Sequence, residues 1–185
     1  MSDKANHNYY VFTGGPGSGK TTVLNLLEDM GYFTVKESAR DIIRNQVETG
    51  GDAVPWMNIP RYADLMLLHA IVDFEEYIHV DKLCFFDRGI PDVLGYSRLT
   101  GIPESGILME AVRKYHYNKI VFGFPFWKEI YVTDSERKQD IEEAKRTYHA
   151  VRGVYEELGY HIVDVPRLPP DLRARWIVDK IHESE

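Results

Sequence analysis

The stretch GGPGSGKT occupies residues 14–21, between a short apolar run at residues 9–13 and a helical pattern at residues 21–30. It satisfies the pattern G-x-x-x-x-G-K-[ST] in full. Four of its first six residues are glycine, and glycine allows backbone N–H groups to approach an anion closely. The N-terminal end of the following helix directs its dipole at the same anion. The stretch therefore predicts a strand, a phosphate-binding loop and a helix in succession.

The loop predicts a site for a nucleoside triphosphate and Mg²⁺. Lys20 is expected to reach the β- and γ-phosphates, and the Thr21 hydroxyl is expected to bind the metal ion. A dinucleotide-binding turn is the natural competitor, but its G-x-G-x-x-G spacing does not occur in the loop. The predicted nucleotide-binding residues are Gly14, Gly15, Pro16, Gly17, Ser18, Gly19, Lys20, Thr21 and Thr22.

The composition of the chain is that of one ordinary globular domain. It has 185 residues, of which 44% are hydrophobic and 28% are charged, and this length is near the usual size of a single domain. No repeat or linker divides the chain. We therefore expect one domain over residues 1–185, in which the polar residues 1–8 form a flexible N-terminus.

The net charge and the single cysteine restrict the expected partners and location. The formal net charge is −7, and an acidic surface repels polyphosphate chains, so we expect no nucleic acid polymer as a partner. No run of about 18 apolar residues is present, so no membrane span is expected. Cys84 is the only cysteine and cannot form an internal disulfide, which favours a reducing cytoplasm.

Strand-like and helix-like segments alternate along the chain. The apolar runs after the first cover residues 32–36, 83–86, 119–122 and 160–165. Between them, residues 141–158 carry one apolar stripe at helical spacing. Residues 61–80 form an almost continuously apolar helix candidate that we expect to be buried on most sides, and residues 172–181 form a shorter amphipathic one. This alternation predicts an α/β fold with a parallel sheet, whose ligands bind beyond the carboxyl ends of the strands.

Two acids follow predicted strands and therefore belong at that edge of the sheet. Asp87 ends the run at residues 83–86, and we predict that its carboxylate holds Mg²⁺. The alternative is a buried strand that merely ends in an aspartate. Glu37 ends the second strand, where it is placed to accept a proton from an attacking hydroxyl. The alternative for Glu37 is an acid stabilised by the dipole of the next helix.

Further side chains at the strand ends are candidates for substrate contacts. Arg88 is predicted to bind the acceptor near its reacting hydroxyl, and Asp92 to bind a sugar or a base edge. An ion pair or a helix cap is the alternative for Asp92. Arg137, with Arg146 behind it, precedes the striped helix, where a basic residue would neutralise transition-state charge unless it is simply solvated.

The loop at residues 166–170 leaves the last predicted strand beside the phosphate loop and is expected to line the base pocket. Four aromatic residues in proline-rich connections either stack on a ring or pack a lid. These residues are Trp56, Phe124, Phe126 and Trp127.

The order of these motifs carries a family resemblance. The phosphate loop is followed by KESAR at residues 36–40, by DRG at 87–89 with Asp92 and Tyr96, and by DSER at 134–137. YEELGY at residues 155–160 and VP at 165–166 complete the series. Over residues 9–182 the chain resembles the small AAA-type P-loop ATPase domain family. That family is close to ribosylnicotinamide kinase and, more distantly, to deoxynucleoside kinases.

The resemblance implies a fold and an activity. The implied fold is the P-loop NTPase fold of nucleoside and nucleotide kinases, with a parallel five-stranded sheet flanked by helices and a lid over the phosphates. The nucleotide is then ATP, with Mg²⁺. By match to the motifs, Glu37 is the base, Arg88 and the lid residue Arg137 act with Lys20 in catalysis, and Arg40 joins Asp92 in binding substrate.

Two functions compete at this point. In the first, the protein is a kinase that transfers the γ-phosphoryl group of ATP to a hydroxyl of a nucleoside-like small molecule. In the second, it is an ATP-binding regulatory module or slow ATPase without an acceptor. A GTPase is a weaker third, because the sequence NKIV at residues 118–121 lacks the final acid of the guanine-reading Asn-Lys-x-Asp. The identity of the acceptor and the oligomeric state stay open.

Overall fold

A computed structural model describes residues 3–130 and 141–184 and contains a sheet of five parallel strands. In spatial order these are β3 (Phe33–Val35), β4 (Cys84–Asp87), β2 (Tyr9–Gly14), β6 (Ile120–Phe124) and β7 (His161–Asp164). A separate two-stranded ladder pairs β1 (Lys4–Ala5) with β5 (Tyr115–His116). The helices are α1 (Lys20–Asp29), α2 (Ala39–Thr49), α3 (Ile59–Glu76), α4 (Ile90–Thr100), α5 (Gly106–Lys114), α6 (Ile141–Glu157) and α7 (Pro170–His182), with a 3₁₀ turn at Lys128–Ile130.

The central strand β2 builds a hydrophobic core on each face of the sheet. Successive strand side chains point to opposite faces, and those of β2 are apolar on both. Tyr9 and Val11 belong to a core formed with α3, α4, α5 and α6. Tyr10 and Phe12 belong to a second core formed with α1 and α7. The sheet is thus buried between two layers of helices, as a parallel sheet requires.

All carboxyl ends of the five strands lie at one edge, because the strands are parallel. The phosphate loop leaves β2 at this edge, between β4 on one side and β6 on the other. Glu37 follows β3, and Asp87 is the last residue of β4. The topology therefore brings to one place residues that are far apart in the sequence.

The predicted α/β fold with a parallel five-stranded sheet is confirmed, and the differences from the sequence analysis are local. The expectation that the helix at residues 61–80 is buried on most sides is wrong. Only one side of α3 packs on the rest of the domain, and Leu68 and Val72 are 55% and 53% exposed. An apolar run alone does not reveal which side of a helix meets a neighbour. No helix in residues 3–130 and 141–184 has the length and apolar content that a membrane span needs.

The N-terminal segment is held to the domain from residue 4 onwards. Lys4 pairs with Tyr115 in the β1–β5 ladder, and its ammonium group forms an ion pair with Glu75. The flexible N-terminus expected for residues 1–8 stays a prediction, and Lys4 and Ala5 are the residues of this segment that pair with β5. A two-residue strand carries too little pattern for sequence analysis to find it.

The single cysteine provides a direct test of the fold. Cys84 is fully buried in β4, and burial raises the pKa of its thiol to about 12. Because the thiolate is the reactive form, we expect the native protein to be almost inert to an aromatic disulfide reagent at pH 8, whereas the same protein in guanidinium chloride reacts at once. Fast stoichiometric labelling of the native protein would show that β4 is not in the core.

Candidate active site

The phosphate loop owes its glycines to backbone conformation and to close packing. Gly17 and Gly19 have φ of 71° and 87°, in the left-handed region that favours glycine. A Cβ atom at Gly15 would collide with the backbone carbonyl oxygen of Ala144 at the start of α6. The loop therefore packs directly against α6, and its backbone N–H groups remain available to an anion.

Lys20 lies folded over the loop. Its Nζ atom donates to the carbonyl oxygens of Gly14 and Gly15 at 3.3 and 3.2 Å and lies 3.9 Å from Oδ1 of Asp87. Burial and the positive charge of Arg88 lower the pKa of Lys20, against the opposing effect of Asp87. A buried ammonium group with weak carbonyl partners is well placed to exchange them for phosphate oxygens.

Asp87 and Thr21 form the predicted metal pair. The Thr21 hydroxyl donates to Oδ2 of Asp87 at 3.0 Å, while Oδ1 is buried without a hydrogen-bond partner. Burial raises the pKa of Asp87, and the negative charge of Glu37 adds to this shift. An unpartnered carboxylate oxygen beside a hydroxyl is the donor set that Mg²⁺ shares with phosphate oxygens. The residues present therefore fit the ion.

Glu37 and Arg88 form an ion pair in which the Arg88 Nε atom donates to Oε1 of Glu37 at 2.7 Å. Burial would raise the pKa of Glu37, but the charges of Arg88 and Lys20 outweigh it, so the pKa lies below its usual value. Burial would lower the pKa of Arg88, but the nearby carboxylates of Glu37, Asp92 and Asp87 raise it. Both groups are therefore charged at neutral pH, and each fixes the orientation of the other.

Arg88 has a backbone conformation that is unusual for an arginine. Its φ is 77°, which is costly for a residue with a Cβ atom and is concentrated at functional sites. The backbone is held at its amide, since the Arg88 N–H donates to the carbonyl oxygen of Phe12 at 2.9 Å. The fold therefore maintains a strained residue directly after Asp87.

Asp92 is saturated by groups of the protein itself. Its Oδ1 atom accepts from the Thr13 hydroxyl at 2.7 Å and from Arg88 at 3.3 Å. Its Oδ2 atom accepts from the Gly89 N–H at 2.9 Å and from the Tyr155 hydroxyl at 2.7 Å. A carboxylate has about four acceptor positions, and groups of the protein occupy them here. This geometry is the ion pair and helix cap given above as the alternative, while substrate binding by Asp92, which also lines the cleft described below, stays a prediction.

A cleft opens beside these groups, between the ends of β3 and β4 and the helices α3 and α4. Its apolar walls include Phe86, Val93 and Tyr117. One side of α3 lines it through Met66, Ala70 and Asp73, whose spacing of four and three residues places them on one face. Burial raises the pKa of Asp73. Sequence analysis did not identify this face of α3 as part of the site. The only signal in the sequence is the helical spacing of the three residues, and other residues of this apolar helix have the same spacing.

The expected base pocket is only partly formed by the residues named for it. Phe124 is buried in the core with α1 and α7, so it is not available for stacking on a ligand. The loops at residues 125–127 and 166–170 do meet, since Arg167 donates to the carbonyl oxygen of Phe126 at 2.9 Å. Trp127 lies against the guanidinium group of Arg173, with 5.4 Å between Cζ and the ring centre. Trp56 is 65% exposed.

The remaining candidates occupy more peripheral positions. Thr22 is exposed in the first turn of α1. Arg40 is exposed in the first turn of α2, and its charge contributes to the lowered pKa of Glu37. Arg146 is exposed on α6. Arg137 lies outside the described residues.

Fold and site together define a class of protein with the P-loop NTPase fold of nucleoside kinase-like proteins. A family model described as an AAA domain matches residues 9–175, and this chain belongs to that AAA domain family. The resemblance inferred from the order of the motifs is thereby confirmed. No curated protein matches the chain.

Solved structures share the fold at low sequence identity. The NadR protein in complex with NR has a TM-score of 0.70 and 15% identity, over 98% of this chain and 50% of that chain. The chain thus spans about half the length of NadR. Deoxyadenosine kinase from M. mycoides, with dCMP and dCDP bound, has a TM-score of 0.66 and 14% identity, over 95% and 99% of the two chains. Shikimate kinase from Acinetobacter baumannii, in complex with shikimate, has a TM-score of 0.58 and 16% identity, over 99% of this chain and 95% of that chain.

The close packing of the phosphate loop predicts the effect of one methyl group. Gly15→Ala is expected to lower the free energy of unfolding by about 1–3 kcal/mol, because the collision is with backbone and cannot be relieved by a rotamer change. Gly153→Ala on α6 is the control, because a Cβ atom there meets nothing and alanine favours the helix by about 1 kcal/mol. Urea denaturation measures both. Equal stability of the two variants would contradict the packing described here.

The saturated carboxylate of Asp92 predicts a large loss on neutralisation. Asp92→Asn is expected to lower the free energy of unfolding by about 3 kcal/mol, because an amide cannot accept the bonds from Arg88, Gly89 and Tyr155 together. Asp41→Asn is the control, since Asp41 forms an exposed pair with Arg44 and such pairs contribute about 0–1 kcal/mol. Denaturant melts provide the comparison, and a loss at Asp92 no larger than that at Asp41 would refute the proposed network.

Proposed function

We propose that this protein is an ATP-dependent kinase that phosphorylates a hydroxyl group of a nucleoside-like metabolite. The observation that carries the proposal is the position of Glu37, which lines the acceptor cleft while its pKa responds to the charges of Lys20 and Arg88. The cleft therefore opens onto the groups that handle phosphate. A nucleotide switch or a simple ATPase has no need of such a cleft.

The nucleotide side of the site consists of the loop from Gly14 to Thr22, with Lys20 directed at the β- and γ-phosphates. Thr21 and Asp87 would hold Mg²⁺, and the ion would neutralise the negative charge that develops on the phosphates. The raised pKa of Asp87 supports this role, because a second positive charge in the site relieves the burial of its carboxylate.

Glu37 is the proposed general base. The acceptor hydroxyl gives its proton to the Glu37 carboxylate, the acceptor oxygen forms a bond to the γ-phosphorus, and the bond from that phosphorus to the β,γ-bridging oxygen breaks to release ADP. The lowered pKa keeps Glu37 ionised before the reaction. In a loose transition state, positioning matters more than basicity, and the bond from Arg88 supplies that positioning.

The chemistry of the cleft lining supports the acceptor class. The lining face of α3 extends about 10 Å from Met66 to Asp73, at 1.5 Å per residue. Apolar walls, an aromatic residue at Tyr117 and a carboxyl group at Asp73 suit a flat ring with a polar edge. The fold shared with NadR and deoxyadenosine kinase supports the same class.

The cellular context is part of the same proposal. The partner is a small-molecule acceptor, with neither a nucleic acid polymer nor a membrane. Cytoplasmic localisation is supported by the single cysteine, which is buried and unpaired.

A coupled ADP-release assay with Mg-ATP tests this function against a panel of nucleosides, nicotinamide riboside and other small hydroxyl metabolites. We expect one acceptor class to stimulate release strongly, and Glu37→Gln to lower that turnover by about 10²–10⁴-fold while ATP binding is retained. Glu48→Gln on the exposed end of α2 is the control and should keep full activity.

Two other results would count against the kinase. Slow ADP release that no acceptor changes, despite tight ATP binding, would favour the ATP-binding regulatory module or slow ATPase. Full acceptor-dependent turnover in Glu37→Gln would remove Glu37 from its role as base.

A further inference from the structure

Arg173 is a buried cation beside the phosphate loop. It lies in the first turns of α7 and is 3% exposed. Within residues 3–130 and 141–184, no carboxylate forms an ion pair with its guanidinium group. Its Nε atom is buried without a hydrogen-bond partner. Charged side chains are rarely buried unless they are paired, so this charge calls for a counterion.

The helices around Arg173 make its position less favourable still. The residue is near the N-terminal end of its own helix, α7, and it also packs against Gly19 at the N-terminal end of α1. Helix N-termini carry partial positive charge and favour anions. Burial lowers the pKa of Arg173. Negative charge supplied by a ligand would therefore stabilise this cation.

The guanidinium group contacts the phosphate loop directly. Its Nη1 atom donates to the carbonyl oxygen of Ser18 at 3.2 Å. A Cβ atom built on Gly19 would lie 2.9 Å from both Nη1 and Nη2, so the group lies close against the loop backbone. The ring of Trp127 also contacts the group. Arginine has five N–H donors, and among the described residues only Ser18 accepts a hydrogen bond from this one.

We propose that Arg173 is a nucleotide-binding residue that pairs with the phosphate chain, as a second cation in addition to Lys20. The ligand class is a nucleoside di- or triphosphate, recognised here through its phosphates and not through its base. Gly19 contributes to the phosphate loop and also has no side chain, so Arg173 can approach the place where the loop binds the anion. Trp127 shields the pair from water and so strengthens it. The inference rests on the nucleotide site of the proposed function.

A purely structural role for Arg173 makes a different prediction. If Arg173 served only to tie α7 to Ser18, its removal would destabilise the nucleotide-free protein and leave ligand binding intact. If its charge awaits an anion, replacement by an apolar side chain of similar length removes a buried unpaired charge. Such replacements are often neutral or stabilising. The stability of the free protein and the affinity for phosphates therefore respond in opposite ways.

The test compares Arg173→Met with wild type by calorimetric titration and thermal melting, using ATP, inorganic tripolyphosphate and adenosine, each with Mg²⁺. We expect the variant to bind ATP and tripolyphosphate about 10- to 100-fold more weakly, the size of one or two lost charge-assisted hydrogen bonds. Adenosine binding should be unchanged, and the melting temperature without ligand should be equal to or above that of wild type. Arg175→Met is the matched control, because Arg175 is exposed on the same helix and its loss changes the net charge equally.

Several results would overturn the inference. A lower melting temperature with unchanged tripolyphosphate affinity would make Arg173 a structural tie. Weaker adenosine binding with unchanged tripolyphosphate binding would assign it to the base. If the methionine variant does not fold, Arg173→Gln keeps donors for Ser18 without the charge, and wild-type tripolyphosphate affinity in that variant refutes the pairing. Absence of both ATP and tripolyphosphate binding in wild type would remove the nucleotide site itself, and with it the proposed function.

Discussion

The carboxylate of Asp92 is the point at which the separate parts of the site are joined. It accepts hydrogen bonds from β2, from the turn after β4 and from α6. β2 leads into the phosphate loop, the turn after β4 contains the strained Arg88, and α6 packs against Gly15. Burial first, and then the charge of Asp92, raise the pKa of Tyr155 well above its ordinary value, so its hydroxyl keeps the proton that it donates. This shared acceptor therefore links β2, the turn after β4 and α6.

Three charged side chains around the loop have weak or missing partners, which a ligand would supply. Lys20 is paired with two carbonyl oxygens and with a carboxylate at 3.9 Å, Asp87 has an unpartnered oxygen, and Arg173 has an unpartnered Nε atom. Each of these arrangements is unfavourable in a buried place. In the proposed function, a Mg²⁺–nucleotide complex would supply the metal ion to Asp87 and phosphate oxygens to Lys20 and Arg173.

The acceptor side of the molecule depends on the way α3 packs. One face of this helix lines the cleft through Met66, Ala70 and Asp73, and the opposite face leaves Leu68 and Val72 exposed. Glu37 joins the two sides of the site, because it lines the cleft and is bonded to Arg88. In the proposed kinase, this one carboxylate would link acceptor recognition to the phosphate chemistry.

The sequence by itself determined the phosphate loop, the alternation of strands and helices, and the acids at the strand ends, because these are local patterns. The Lys-Thr pair that ends the glycine-rich loop distinguishes it from a dinucleotide-binding turn, and a parallel sheet places the ends of its strands at a common edge. The tertiary structure decided the surroundings of Asp92, Asp73 and Arg173. Each of these depends on which groups from distant segments fill a carboxylate, line a cleft or leave a charge unpaired, and such partners leave no trace in the spacing of residues along one helix.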